Sequence, residues 1–245
     1  MKKNLLTIIS VSICLFMAVS CDSVLDPMAN GHYTEENMSE FPSIMSGFVE
    51  EAYMLSITYS YLNSKYAYLD CTTDIGVITN ENDICRKLGN SFINPNQDSW
   101  SGYWQNNYKG IYYVNRFLKD DQGYNTHYLI SQDNDQSYRK DLKGDAYAIR
   151  AWLEYDLLQK FGARSVDGDL LGFVIMDHYV DQSTADPSDY KRASYDECVE
   201  QILSDCDSAI AYLPLANRDW ESGLNINVEG SQRWGRFDGI SMTAL

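Results

Sequence analysis

Basic charge, histidine, proline and paired cysteine motifs are all scarce in this chain, and each shortage removes a class of function. Nineteen Lys and Arg stand against 35 Asp and Glu, a formal net charge of −16 with no basic block anywhere. Such a body repels phosphate backbones, so nucleic acid is excluded as a partner, while neutral, cationic and uncharged polar ligands remain open. His32, His127 and His178 are the only histidines, and no HExxH, G-x-S-x-G, P-loop or Rossmann glycine pattern occurs. The six cysteines form no CxxC pair and no zinc spacing. Asp133-Asn134-Asp135 and Asp167-Gly168-Asp169 lack the spaced oxygen ligands ending in Glu that calcium needs, so solvated turns are expected and no metal or cofactor is. A glycosidase carboxylate pair stays open, because its separation is spatial and no local motif reports it.

What is present begins at the N-terminus. Lys2 and Lys3 precede an apolar stretch from Leu5 to Val19, and small residues lead into Cys21. Residues 1–20 therefore read as a signal peptide. The apolar run ends at Cys21-Asp22 without a stop-transfer charge cluster, which argues against a membrane span. Ala18-Val19-Ser20-Cys21 resembles the bacterial lipobox, making Cys21 the candidate for lipidation and residues 21–38 a lipidated tether. Cleavage near Ser20 with free secretion is the alternative. Cys198 and Cys206 sit at helical spacing in an apolar stripe and are expected as buried thiols. A bridge between Cys71 and Cys85 is compatible with export.

Four helices can be traced, and no stretch alternates in the way a half-buried strand does. The first covers about residues 39–63, with Pro42 in its opening turn. The second holds the aromatic run from Trp100 to Phe117, seven rings in eighteen residues. The third runs from about Tyr138 to Phe161, is apolar on two faces and must be covered on both, with Gly162 as its C-cap. The fourth opens on a Ser194-x-x-Glu197 capping box and ends at Pro214. The polar connectors 64–99, 121–137 and 163–193 are too long for simple turns, a length usually reserved for functional or flexible loops. Phe173-Val174-Ile175 suggests a short strand or extended piece. The expected fold class is all-α, with tetratricopeptide-like helical hairpins and long irregular loops. The helical domain occupies 39–245, and its ending on Ala244-Leu245 reads as a helix just begun, hence as a domain incomplete at the C-terminus.

On a helical wheel Trp104, Tyr108, Ile111, Asn115 and Leu118 fall within about 40° of one direction and make the expected core face. Asn115 in that stripe is expected to bond a neighbouring helix or loop backbone, because an unpaired buried amide is costly. Tyr113 points the opposite way, toward either a second helix layer or a ligand. Trp100 and Tyr103, where a long polar loop enters the helix, are the better ligand candidates.

Taken in order, these pieces resemble the N-terminal part of the SusD/RagB-type nutrient-binding lipoproteins. The resemblance rests on Cys21-Asp22-Ser23, the W-x3-Y-x2-I-x3-N pattern of Trp104, Tyr108, Ile111 and Asn115, and Gly144-Asp145-Ala146 with Arg150-Ala151 and Phe161-Gly162. It continues through Arg192-Ala193-Ser194, Ile202, Asp205, Ala209-Ile210, Leu213-Pro214 and Gly235-Arg236. The resemblance implies a non-catalytic protein, lipid-anchored at the cell surface of the outer membrane, that binds an oligosaccharide or other nutrient for a SusC-like TonB-dependent transporter. Trp100, Tyr103 and Tyr113 are its candidate ligand contacts. A helical scaffold that binds only a protein partner, and a secreted glycoside hydrolase, are the rival expectations.

Overall fold

A computed structural model of the chain describes residues 33, 37–58, 73–82, 84–90, 101–181, 183–186, 188, 190–215 and 236–245. Residues 1–37 and 38–245 form separate units, and every described element lies in the second. A 3-10 turn at Met38–Glu40 leads into α1 (Pro42–Thr58), followed by α2 (Ile84–Gly89) and α3 (Ser101–Leu118). A second 3-10 turn (Lys119–Asp121) precedes α4 (Gln122–Asn125) and the long α5 (Gln132–Phe161). The strands β1 (Ala163–Arg164) and β2 (Leu170–Leu171) come next, then α6 (Tyr195–Tyr212) and α7 (Gly239–Ala244). The described residues are mainly helical. Their two-stranded sheet pairs Ala163 with Leu171 and Arg164 with Leu170, antiparallel. It lies just before the extended piece foreseen at Phe173 to Ile175.

Helices pack mostly on their chain neighbours: α1 on α3, α3 on α5, α5 on α6, and α6 on α7. That is the arrangement of stacked hairpins, each burying a face that it cannot bury alone. α5 is covered on two sides. Leu142, Ala146, Ile149, Leu153 and Leu157 are buried along one stripe and Ala148, Ala151 and Leu158 along another. At its crossing with α3 there is no room for a side chain at Gly110, where a Cβ would stand 2.6 Å from Leu153 Cδ1.

α5 begins at Gln132, earlier than its apolar pattern indicates. The cause is polar. The Asp135 carboxylate accepts from the Tyr128 and Leu129 amides at 2.7 and 2.9 Å and pairs with Arg139 at 3.0 Å. Burial alone would raise its pKa, but the two amides, His127 and Arg139 hold it below the ordinary carboxylate value. The expectation of a solvated turn at 133–135 is thus corrected for Asp135, which is buried. Much of the connector 121–137 proves to be α4 and the first turn and a half of α5. Ahead of it Asp120 and Asp121 both adopt left-handed backbone, φ 50° and 56°, a conformation Asp tolerates better than most residues. Asp121 there accepts from the Lys143 ammonium at 2.6 Å.

Gly162 does cap α5, though in extended backbone. It is required by proximity, since a Cβ would lie 2.6 Å from the Leu158 carbonyl oxygen. The α6 capping box forms as expected: Ser194 Oγ accepts from the Glu197 amide, and the Glu197 carboxylate accepts from the Ser194 amide. Cys198 and Cys206 are buried free thiols in its inner stripe, and burial pushes Cys206 up to about 11. α7 opens on a second box, Asp238 with Ser241. Just before it, Arg236 donates to Asp145 of α5 at 2.9 Å and to Glu50 of α1.

Candidate functional site

α3 presents three different surfaces. Its deep face is Asn107, Gly110, Ile111, Val114 and Phe117, rotated from the expected Trp104–Tyr108–Ile111–Asn115–Leu118 stripe. In that stripe Ile111 and Asn115 are buried, and Trp104, Tyr108 and Leu118 are half-buried. The reason is that α1 and α5 meet α3 on one side, while an irregular strap, residues 172–180, crosses the other.

The strap has no ladder of its own beyond the exchange of Gly172 and Phe173 with Ala193. Side chains hold several of its other backbone groups. Tyr108 Oη donates to the Val174 carbonyl at 2.9 Å and accepts from the Val174 amide at 2.8 Å. Burial pushes this phenol well above its ordinary pKa, so it stays protonated. Asn115 Nδ2 donates to the Met176 and His178 carbonyls at 2.7 and 2.9 Å, which meets the expectation of a backbone partner. Arg150 donates to Asn115 Oδ1 at 2.7 Å and to the Asp177 carbonyl at 2.8 Å. Its other two nitrogens grip both oxygens of Asp205 on α6, each at 2.6 Å. Beside this pair lies Glu154, 0% exposed, neither of whose oxygens makes a hydrogen bond of normal geometry. Burial, then the neighbouring Asp205 charge, raise its pKa well above the ordinary Glu value.

Between α3 and the strap lies an open cavity of about 650 Å³. Trp104, Gln105, Tyr108, Lys109, Ile111, Tyr112 and Asn115 form the helix wall, and Met176, His178, Val180, Ala185 and Tyr190 form the opposite one. The Trp104 indole stands edge-on to Phe161, centroids 5.0 Å apart, and tilts against Tyr108 at 4.9 Å. Tyr112 tilts against Tyr179 at 5.7 Å. On the strap's other side a smaller hollow of about 370 Å³ is bordered by Lys119, Arg150, Asp177 and Tyr179. Lys119 and Arg116 lie over the Tyr179 ring at 4.6 and 5.3 Å.

Of the expected site residues, Tyr103 and Tyr113 do not line this cavity. Trp100 and Cys21 lie outside the described residues, as does Cys71. Tyr103 is half-buried beside the end of α5, with the Lys160 ammonium 5.1 Å from its ring centre. Lys160 pairs with Asp156, which also accepts from Asn107 Nδ2 at 2.8 Å. Tyr113 stacks on Phe48 of α1, centroids 6.0 Å apart, with Lys109 over its ring at 5.6 Å. Sequence reasoning missed Tyr112 and Tyr190 as cavity residues. The available signal was the length of the 163–193 connector, which supplies the whole second wall.

Among the described residues no group of His, Cys, Asp and Glu could hold a metal ion, and no helix is long and apolar enough to cross a membrane. A family model, SusD-like and described as starch-binding associating with outer membrane, matches residues 22–224. No curated protein matches the sequence. Solved structures do. A SusD homolog from Bacteroides thetaiotaomicron is 20% identical with a TM-score of 0.60, over 86% of this chain and 36% of its own. A SusD-like carbohydrate binding protein from Bacteroides fragilis is 16% identical with a TM-score of 0.59, over 85% and 36%. A laminarin binding SusD-like protein is 18% identical with a TM-score of 0.54, over 86% and 39%. The chain spans well under half the length of these three structures, and they establish its fold.

Proposed function

This chain belongs to the SusD-like family, and from that premise we propose that it is a non-catalytic, cell-surface glycan-binding lipoprotein. It is anchored in the outer membrane through acylated Cys21 and passes oligosaccharide to a SusC-like TonB-dependent transporter. The observation that carries this reading is the family match over residues 22–224, whose description joins starch binding to the outer membrane. The laminarin named for one structural relative points to the same ligand class, a neutral glucan. A neutral ligand suits a chain of net charge −16.

The proposed sugar contacts are Trp100 and Tyr103 at the loop-entry end of α3, with Tyr113 a more distant contact on the α1 side. Aromatic faces stack on the apolar faces of sugar rings, and polar residues of the 64–99 loop bond the hydroxyls. The Lys160 ammonium above Tyr103 fixes the orientation of that ring.

Affinity gels cast with starch or laminarin test the reading directly. The full chain is expected to be retarded, and Trp100→Ala to weaken binding by about tenfold with unchanged helical circular dichroism. No retardation by any glucan, with a transporter still co-purifying, would favour a scaffold for a protein partner. Release of reducing ends would make the protein a hydrolase.

A further inference from the structure

The cavity between α3 and the strap combines ring faces with a few polar side chains. Trp104 and Tyr112 line one wall and Tyr190 the other, about a volume of 650 Å³, and Gln105 and Lys109 border the same space from neighbouring turns of α3. Gln105 is exposed, and its amide, able both to donate and to accept, makes no hydrogen bond with a described residue. The Lys109 ammonium stands 3.9 Å from the Glu51 carboxylate on α1 and 5.6 Å from the Tyr113 ring centre, so its charge is partly met already and calls for no anionic guest. His178 engages Asp177 through Nδ1 at 2.6 Å, which leaves Nε2 for a ligand. Rings to cover the apolar faces of a sugar, with a few groups placed for its hydroxyls, are what a carbohydrate pocket of this volume needs. Its strap wall is also set in advance. Tyr108, Asn115 and Arg150 hold the backbone of Val174, Met176, Asp177 and His178, so little ordering is left for binding to cost. The loop-entry end of α3 is a different place: Tyr103 lies about 180° round the helix from Tyr112, against Lys160, and does not line the cavity.

We infer that this cavity is a second glycan-binding site, in which a short stretch of neutral glucan stacks on Trp104, Tyr112 and Tyr190 while its hydroxyls bond Gln105, Lys109 and His178. The inference rests on the glycan reading of the protein and adds to it a place of contact separate from Trp100 and Tyr103. Two sites on one body hold a polymer more tightly than either site alone, because the second capture is intramolecular. A strand long enough to reach both is retained where a short oligosaccharide is released.

Titration calorimetry of the full chain with maltohexaose and laminarihexaose tests the site. Trp100→Ala is expected to keep measurable binding of at least one of them, held by the cavity. Added to that variant, Tyr190→Ala is expected to weaken what remains by about tenfold, and Gln105→Ala by about two- to tenfold, the scale of one hydrogen bond. Gln105 is exposed, so its variant decides the matter should Tyr190→Ala disturb the loop. In gels cast with polymeric starch or laminarin, Trp100→Ala and Tyr190→Ala together are expected to lose more retardation than either does alone. Wild-type binding that Trp100→Ala abolishes outright, or residual binding that neither Tyr190→Ala nor Gln105→Ala weakens, would overturn the inference and leave the glycan reading in place. A wild type that binds no glucan, in gel or in solution, would remove the glycan reading and the second site with it.

Discussion

The two sides of the strap are built from the same helix and have opposite chemistry. Facing the larger cavity are Met176 and Val180 with the rings of Trp104, Tyr108 and Tyr112. Facing the smaller hollow are Asp177 and Tyr179, with Arg150 and Lys119. An extended chain alternates its side chains, so one short segment can serve both. The larger cavity depends on the charged side. Arg150 and Asn115 hold the strap carbonyls and so fix the wall that Met176 and Val180 present to it.

That dependence predicts where the fold is most easily broken. Arg150→Ala should have the largest effect, since it strands Asp205 as a buried, unpaired carboxylate and releases the Asp177 carbonyl. Removing one partner of such a pair costs about 3–5 kcal/mol, visible as a lower urea midpoint. An unchanged midpoint would mean that the charged side is not what holds the strap.

Asn115→Leu keeps the volume but deletes two carbonyl donors and an acceptor for Arg150. A loss of about 1–3 kcal/mol is expected, measured by thermal or chemical unfolding. An unchanged unfolding midpoint would mean that the strap does not depend on these bonds.

Glu154 supplies a pH test of the same junction. Its folded pKa is raised by burial, then by Asp205, so the folded state retains a proton that the unfolded state has released. The contribution of Glu154 to stability is therefore fully present below the unfolded Glu value, about 4.3, and is lost as pH rises toward the folded value. The expected slope is about 1.4 kcal/mol per pH unit within that window. Glu154→Gln should flatten this fall in stability above the unfolded Glu value. Parallel pH profiles for the two proteins would show that Glu154 is ionised in the fold.

The smallest effect is expected on the aromatic side. Tyr108→Phe keeps the ring and removes the hydroxyl shared with Val174, costing about 0.5–1.5 kcal/mol in all, because Val174 is half-buried and water can take over its backbone groups. If it costs more than Asn115→Leu, the ranking of the two sides is reversed.

How much of this was legible beforehand varied with the range of the interaction. The α6 capping box is four consecutive residues, and it formed where the pattern put it. The two-sided apolar pattern of α5 stated that it would be covered on both faces, and it is. The same helix's start was missed because Asp135, Tyr128 and Leu129 set it through hydrogen bonds rather than apolar spacing. The core face of α3 was misplaced for a related reason. Trp104 and Tyr108 have the periodicity of core residues, yet one side of them meets a strap that leaves a cavity open.

From residues 1 to 245 alone came the helical class, the acidic charge, the ordered family motifs and the aromatic richness of α3, all properties of composition or of neighbours within a few turns. Only the tertiary structure decided which rings share a wall, that Arg150 joins three elements, and that Glu154 is buried beside Asp205. Those outcomes depend on where residues from Trp104 to Asp205 meet in space, and chain spacing carries no record of a meeting made across half the sequence.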